Sequence, residues 1–463
     1  MSPARLGIAV LLALSATAQA KPPQNPYMAP NPNSNIHNDT WMTDSYDRAG
    51  PRGTNLQTQT GAYPPSLCGS VAFDSAGRLL SVCPSAVSPP VARIIDPRSL
   101  AVLGEYEMPT ATDPPGTKAY QNFTGGGYFF LDNHDRIVAA TKTSHLFVLA
   151  EKADASGFDK VGDYDLTSVL SPDERVTSAL PDFQGRIWFV SKKDGVVGIL
   201  DEKTGKVLAS KMNAEIENSF AVARDGVYIV TDSRMFRFGV GADGRPAPAW
   251  SVKYRNSGIV KPSQVDAGSG TTPTIMDGGF VAITDNADPM DVVVYRTAKK
   301  LKKGQKRVVC QVPVFSKGAS ATENSLLGSG RTLIVENNYG YQDPFGPTAG
   351  AMSKAGFARV DIDKNGKGCH KVWTNTTDAS PTVVPKLSRK TGLVYAYDYQ
   401  PDASGQNVWQ WTAISVKTGK NVWRKTASSE LLAGNNNYAG LALGPDATAY
   451  LGTIGGMEAL RDG

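Results

Sequence analysis

The triplet Glu-Asn-Ser occurs twice unchanged, at Glu217-Asn218-Ser219 and at Glu323-Asn324-Ser325. Asn122 and the run Asn435-Asn436-Asn437-Tyr438 hold a similar place, each just ahead of an apolar stretch. A second set of acids, Asp232, Asp285, Glu336 and Asp398, follows apolar stretches instead. Carboxylates mixed with amide oxygens are what a hard cation such as calcium needs. Glu217, Asp232, Asp285, Glu323, Glu336 and Asp398 are therefore the candidate metal ligands. Asn122, Asn218, Asn324, Asn436 and Asn437 are the candidate ligand-binding amides. The same mixture suits a cationic or hydroxyl-rich ligand, and equally a plain capping of unpaired backbone groups at strand ends.

Groups for acid–base work are sparse. The 463 residues include 4 His, too few for a His-rich zinc centre. His145, Arg234, Tyr339 and Tyr438 are eligible by position for a hydrolase or lyase acting on a carbohydrate or lactone. Asp361-x-Asp363-x-Asn365-Gly366 begins like a calcium loop, but its twelfth position is Val372 and it reads as a hairpin turn. The chain holds no nucleophile elbow, P-loop or dinucleotide fingerprint. A net charge of +5 is too thin for a nucleic-acid face.

The four cysteines fit an oxidising compartment. Cys68 and Cys83 flank GSVAFDSAGRLLSV, whose turn is Asp74-Ser75-Ala76-Gly77. Pairing Phe73 with Arg78 sets an antiparallel register that brings the two sulfurs opposite each other. Cys310 and Cys369 each lie in a run that reads as the last strand of a repeat. A bridge between neighbouring repeats and two buried free thiols are both open for them.

These side chains need a scaffold, and the sequence supplies a repetitive one. Eight hairpins recur: VAFDSAGRLLSV, YFFLDNHDRIVAA, ALPDFQGRIWFV, AVARDGVYIV, TIMDGGFVAI, LLGSGRTLIV, VVPKLSRKTGLVYAY and LALGPDATAYLG. Their spacing of roughly 40 to 60 residues is that of a repeat array. A second hairpin often follows, as in VVGILDEKTGKVLASK and TAISVKTGKNVWRKTA. Two hairpins per cycle make a four-stranded meander, the blade of an all-β propeller. The count points to a single propeller of eight four-stranded blades, with seven as the alternative. Strand starts and the turns after second strands then share the face around the channel mouth, which gathers the candidate acids and amides there.

YLGTIGGMEALRDG, ISVKTGKNVWRK and GILDEKTGKVLAS resemble the strand-turn-strand of the quinoprotein-type (PQQ-type) propeller repeat. Trp373 and Trp423 fall near the end of a fourth strand, where that repeat carries its docking tryptophan. The resemblance covers residues 67–463 and implies the fold far more than an activity. Quinoprotein dehydrogenases of this fold typically carry adjacent cysteines beside pyrroloquinoline quinone (PQQ). Here there is no Cys-Cys pair and no evident inner-strand Trp to floor the cofactor. PQQ is therefore not expected, and a quinone-dependent oxidoreductase is the less favoured enzyme.

The N-terminal 66 residues stand outside the repeat. Residues 1–20 read as a signal peptide, with Arg5, an apolar run from Leu6 to Leu14, and a cleavage site near Ala20. Neither that run nor any later one is long enough to span a membrane. Residues 21–66 read as a strap rich in Pro and Asn, and Thr54 to Gly61 can supply the strand that the short last blade lacks. The expectation is a secreted or periplasmic propeller, residues 67–463, closed by its N-terminal segment. It would bind a small molecule, carbohydrate or protein at the channel mouth, with calcium as the candidate cofactor.

Overall fold

The computed structural model describes residues 21–348, 350 and 352–463; the expected leader lies outside them. All eight hairpins form, each within a four-stranded antiparallel blade, and in blade seven the strap strand Ser45–Tyr46 adds in parallel to the inner edge as a fifth strand. In chain order, the inner strands of blades one to eight are Ala72–Phe73, Phe129–Leu131, Val176–Pro181, Ala221–Ala223, Thr274–Met276, Leu327–Ser329, Lys386–Ser388 and Ala442–Leu443. The turns are made by short-range polar chemistry. In blade three the Asp182 carboxylate accepts the N–H groups of Gln184 and Arg186 and the Arg186 guanidinium, while Gly185 takes φ of 84°. Asp74 with Arg78 and Asp132 with Arg136 repeat the device in blades one and two.

Second and third strands are sandwiched between neighbouring blades, so they read as continuous apolar runs: every residue of Ile187–Ser191 and of Phe280–Thr284 is buried. Fourth strands face water and alternate. They dock on the next blade through aromatic donors. Trp250 Nε1 reaches Thr297 O at 3.2 Å, and Trp373 Nε1 reaches Val416 O at 3.0 Å. Tyr164 Oη does the same to Glu202 O at 3.4 Å. Trp423 packs instead against Gly53, where a Cβ would come within 2.5 Å of the indole.

Both cysteine pairs are bridged, Cys68–Cys83 and Cys310–Cys369. The second joins the outer strands Val308–Pro313 and Cys369–Asn375 of blades five and six. The hairpin register differs by one from the expected one, since Phe73 pairs with Leu79 rather than Arg78. The Leu67 N–H donates to Pro84 O at 2.9 Å, back in the expected register. One residue slips between the two points, and the cysteines still meet.

The ring is closed by the N-terminal segment. Gln57–Ala62 is the outermost strand of blade eight, antiparallel to Gly456–Arg461, from Gln57 opposite Arg461 to Ala62 opposite Gly456. Ahead of it, the strap crosses one end of the channel and satisfies the free edges of the inner strands. The N–H groups of Phe73, Leu131, Val222, Ile275, Gly328 and Leu387 donate to carbonyls of Asn33, Ser34, Thr40, Trp41, Thr43 and Asp44. Asn25 Nδ2 reaches Pro181 O of blade three at 2.8 Å. This end of the channel is plugged along its length by the chain's own backbone.

Candidate functional site

The strap leaves the opposite end of the channel to the starts of the inner strands. Glu217-Asn218 and Glu323-Asn324 immediately precede the inner strands of blades four and six, and their side chains line a chamber of about 40 Å³ on the channel axis. Its floor includes Ile36 of the strap; Tyr128, Phe123, Val265 and Tyr438 wall it. The roof is knitted from long connections. Tyr438 Oη donates to Ser263 O at 2.6 Å, and Asn437 Nδ2 to Tyr120 O at 3.0 Å. Tyr341 Oη donates to Asn437 Oδ1 at 2.8 Å, and Gln121 Nε2 to Gln264 O at 3.3 Å. Asn437 and Tyr438 both hold positive φ, 36° and 64°. Two successive non-glycine residues in that region store strain where the surroundings over-determine them.

Electrostatically the chamber is unfinished. The Glu217 side chain is 8% exposed and pairs with Lys192 at 2.7 Å. Burial still pushes its carboxyl up to about 8; Asp266 and Glu215 add to the rise and Lys192 opposes it. Glu323 accepts the Val265 N–H at 3.3 Å. Burial first, then the charges of Asp266 and Glu217, hold it well above the ordinary carboxylate range. Asp266 is itself pushed up to about 7 by burial and by Glu215. Lys192 is the base that Glu215, Glu217, Asp266 and Glu323 share. Two amide atoms also go without a partner, Asn218 Nδ2 and Asn324 Oδ1, on side chains 6% and 2% exposed. A buried polar atom left unpaired costs on the order of 1–3 kcal/mol.

The six acids named from the sequence fall into separate groups. Glu217 and Glu323 share the chamber. Asp232 lies at the rim, beside Asp266. Asp285 accepts the N–H groups of Asp291 and Ala287 at 2.8 and 3.1 Å, and burial raises it to about 7. Glu336 accepts Asn324 Nδ2 at 2.9 Å and sits in the field of Asp398. Asp398 is not in a turn: the second strand of blade seven, Leu393–Pro401, runs long and places it opposite Gln410. Among the described residues, no group of three or more His, Cys, Asp and Glu is placed to hold one metal ion.

Of the amides, Asn218 and Asn324 line the chamber, Asn436 is buried beside Thr382 in the roof, and Asn437 bridges roof loops. Asn122 accepts Thr124 N and Oγ1, a local cap. Of the four catalytic candidates, Tyr438 reaches the channel. His145 and Arg234 open third strands and turn outward to the fourth, His145 to Asp163 at 2.6 Å and Arg234 to Ser251 at 2.8 Å. Tyr339 does not line the chamber. Glu215, Asp266 and Tyr128 went unnoticed in the sequence. Asp266 lies in the long connection 254–273, and an unusually long connection in a regular array is the signal that marks it.

The comparisons give the architecture a relative. No family model matches the chain. An uncharacterized protein of Archaeoglobus fulgidus is 27% identical over 370 residues, 72% of this chain and 70% of that one. A europium-containing methanol dehydrogenase superposes with a TM-score of 0.55 at 12% identity, over 93% of this chain and 98% of its own. A quinohemoprotein alcohol dehydrogenase from Pseudomonas putida HK5 gives 0.55 at 10% identity, over 94% and 81%. The chain is an eight-bladed β-propeller, the fold it shares with these dehydrogenases.

The chamber has room for roughly three water-sized groups. PQQ is a far larger tricarboxylate, and the acids Glu217 and Glu323 line this space; the chamber itself does not fit that cofactor.

Proposed function

We propose that this chain is an exported propeller that binds a small cationic or hydroxyl-rich ligand in the chamber at the open end of its channel. One observation carries the reading: the repeated Glu-Asn-Ser starts bring two buried carboxyl groups, and two asparagines that each have one unpartnered amide atom, to the lining of a single enclosed space. Such groups cost stability in the free fold; positive charge or a hydroxyl donor relieves the carboxylates and Asn324 Oδ1, and a hydroxyl oxygen relieves the Asn218 Nδ2 donor. Calcium is one such ligand, with the Glu217 and Glu323 carboxylates as its candidate donors. Export is supported by the leader pattern and by two disulfides, which persist in oxidising compartments.

Thermal melts with millimolar calcium, small amines and polyols test the proposal. A ligand that binds the folded ring alone stabilises it by about 2.7 kcal/mol at a hundredfold excess over Kd. At least one class should raise the Tm, and Glu217→Gln with Glu323→Gln should abolish that rise. Indifference to all three classes would leave backbone capping as the role of these residues.

A further inference from the structure

The chamber does not stand alone. Beside it, on the open face, lies a groove of about 330 Å³ walled by Pro64, Pro65, Val87, Tyr120 and Phe345. Val87 is 80% exposed and Phe345 58% exposed, so this apolar wall meets water. Leu67, Pro84 and Phe123 border both spaces. Phe123 packs edge-on against the roof residue Tyr438, with ring centroids 5.7 Å apart. Phe123 therefore stands, with Leu67 and Pro84, between groove and chamber.

The two spaces differ sharply in chemistry. The groove offers contact area and no charge beyond Asp113 and Lys142, which are paired at 3.0 Å. The chamber offers more acceptors than donors: the carboxyl groups of Glu217 and Glu323 and the unpartnered Asn324 Oδ1 stand against the Asn218 Nδ2 donor and the one ammonium of Lys192, which lies on Glu217. An ammonium group has three N–H donors and no acceptor. It is also about the size of the water-sized groups for which the chamber has room. A quaternary ammonium has no N–H to give and is larger. A hydroxyl brings one donor and no charge.

Building on the proposed function, we infer that chamber and groove together bind a primary amine with an apolar body, the ammonium against Glu217, Glu323 and Asn324 and the body along Pro64, Pro65 and Phe345. Phe123 is the positioning residue between the two parts.

Calorimetry on the full exported chain at about pH 8 tests this with four probes: methylamine, hexylamine, hexan-1-ol and hexyltrimethylammonium. Hexylamine should bind about thirtyfold tighter than methylamine, from the apolar surface it buries. Hexanol and hexyltrimethylammonium should each bind at least about tenfold more weakly than hexylamine, for want of charge or of N–H donors. Phe345→Ala should remove most of the chain-length gain and leave methylamine unchanged; the residue is exposed, so the fold should tolerate its loss. Glu323→Gln should remove amine binding altogether. If hexylamine binds no tighter than methylamine, or hexyltrimethylammonium equals hexylamine, the inference is overturned. Binding of methylamine or calcium without any effect of chain length would overturn it while leaving the proposed function standing. Failure of all four probes would overturn the inference, and the proposed function falls with it only if calcium and polyols also fail to raise the Tm.

Discussion

The two ends of the channel bury acids in opposite ways. At the plugged end, Asp44 is fully buried, yet its carboxylate meets His37 Nδ1 at 2.9 Å and the Lys386 ammonium directly. Burial alone would raise it, but those two charges and their hydrogen bonds outweigh burial and hold it below the ordinary value. Asp39 nearby accepts the Trp41 N–H at 2.9 Å and the Thr43 hydroxyl at 2.5 Å, although burial still raises it to about 6. At the open end, Glu217 and Glu323 share one lysine with two further acids, and two amide atoms have no partner. The strap has unpartnered atoms of its own, Asn38 Nδ2 and Oδ1, Thr40 Oγ1 and Trp41 Nε1. What separates the two ends is the pairing of their acids: Asp44 meets two basic groups of its own, whereas four acids at the open end share Lys192.

That contrast can be broken in order of expected effect. Removing residues 21–62 takes away both the strap and the outer strand of blade eight. The inner edges of blades one to seven and the outer edge of the last blade would then be bare. We expect the truncated chain to aggregate or to lose its cooperative melt; a melt like that of the full chain would show that the strap is dispensable.

Lys386→Met leaves Asp44 buried with one partner fewer. Breaking a buried pair in this way costs about 3–5 kcal/mol. Denaturant unfolding should show a loss of that size, and a shift under about 1 kcal/mol would mean the pair is not structural.

The disulfides come next. Cys310–Cys369 closes a span of 59 residues between two blades, against 15 for Cys68–Cys83. By the chain-entropy relation the longer span is worth about 4 kcal/mol and the shorter about 3. Paired Cys→Ser variants should rank in that order in unfolding experiments; the reverse order would argue that the bridges act through local geometry.

The ring was more legible in the sequence than the site. Eight hairpins announce themselves through Asp-x-x-Gly-type turns and continuous apolar runs, because both follow from local backbone chemistry. The closing strand was legible by subtraction, since the last blade lacks one. Trp373 stood out as a docking residue, whereas Trp250 and Tyr164 do the same work unannounced. Glu217, Glu323 and their asparagines were visible as a repeated triplet. Their grouping was not, since positions around a ring fix which face a residue shares but not how far it stands from its neighbours. Asp398 shows this: it stands within the long second strand of blade seven, in the field of Glu336, and does not itself line the chamber. Asp266 shows the converse, a loop residue brought in by tertiary packing. The His37–Asp44–Lys386 group joins the strap to blade seven across most of the chain, and nothing in local pattern foretells it.

Asp44 and the chamber acids predict opposite responses to pH, while Asp39, raised like the chamber acids, follows them. A carboxyl raised in the folded state contributes stability that is present below its unfolded value and lost as pH rises through its folded value. For Glu217 that loss runs from about 4.5 to about 8, and Glu323 acts in the same sense. Asp44 is lowered, so its contribution is present above about 3.8 and lost as pH falls through its folded value.

The most direct test of the account is therefore the stability of Glu323→Gln and Asp44→Asn beside the parent chain at about pH 8. The account predicts opposite signs: Glu323→Gln melts higher than the parent, with an advantage that shrinks towards pH 5, while Asp44→Asn melts lower. Loss of stability in both variants, to a similar extent, would contradict it and make the open end of the channel as structural as the plugged one.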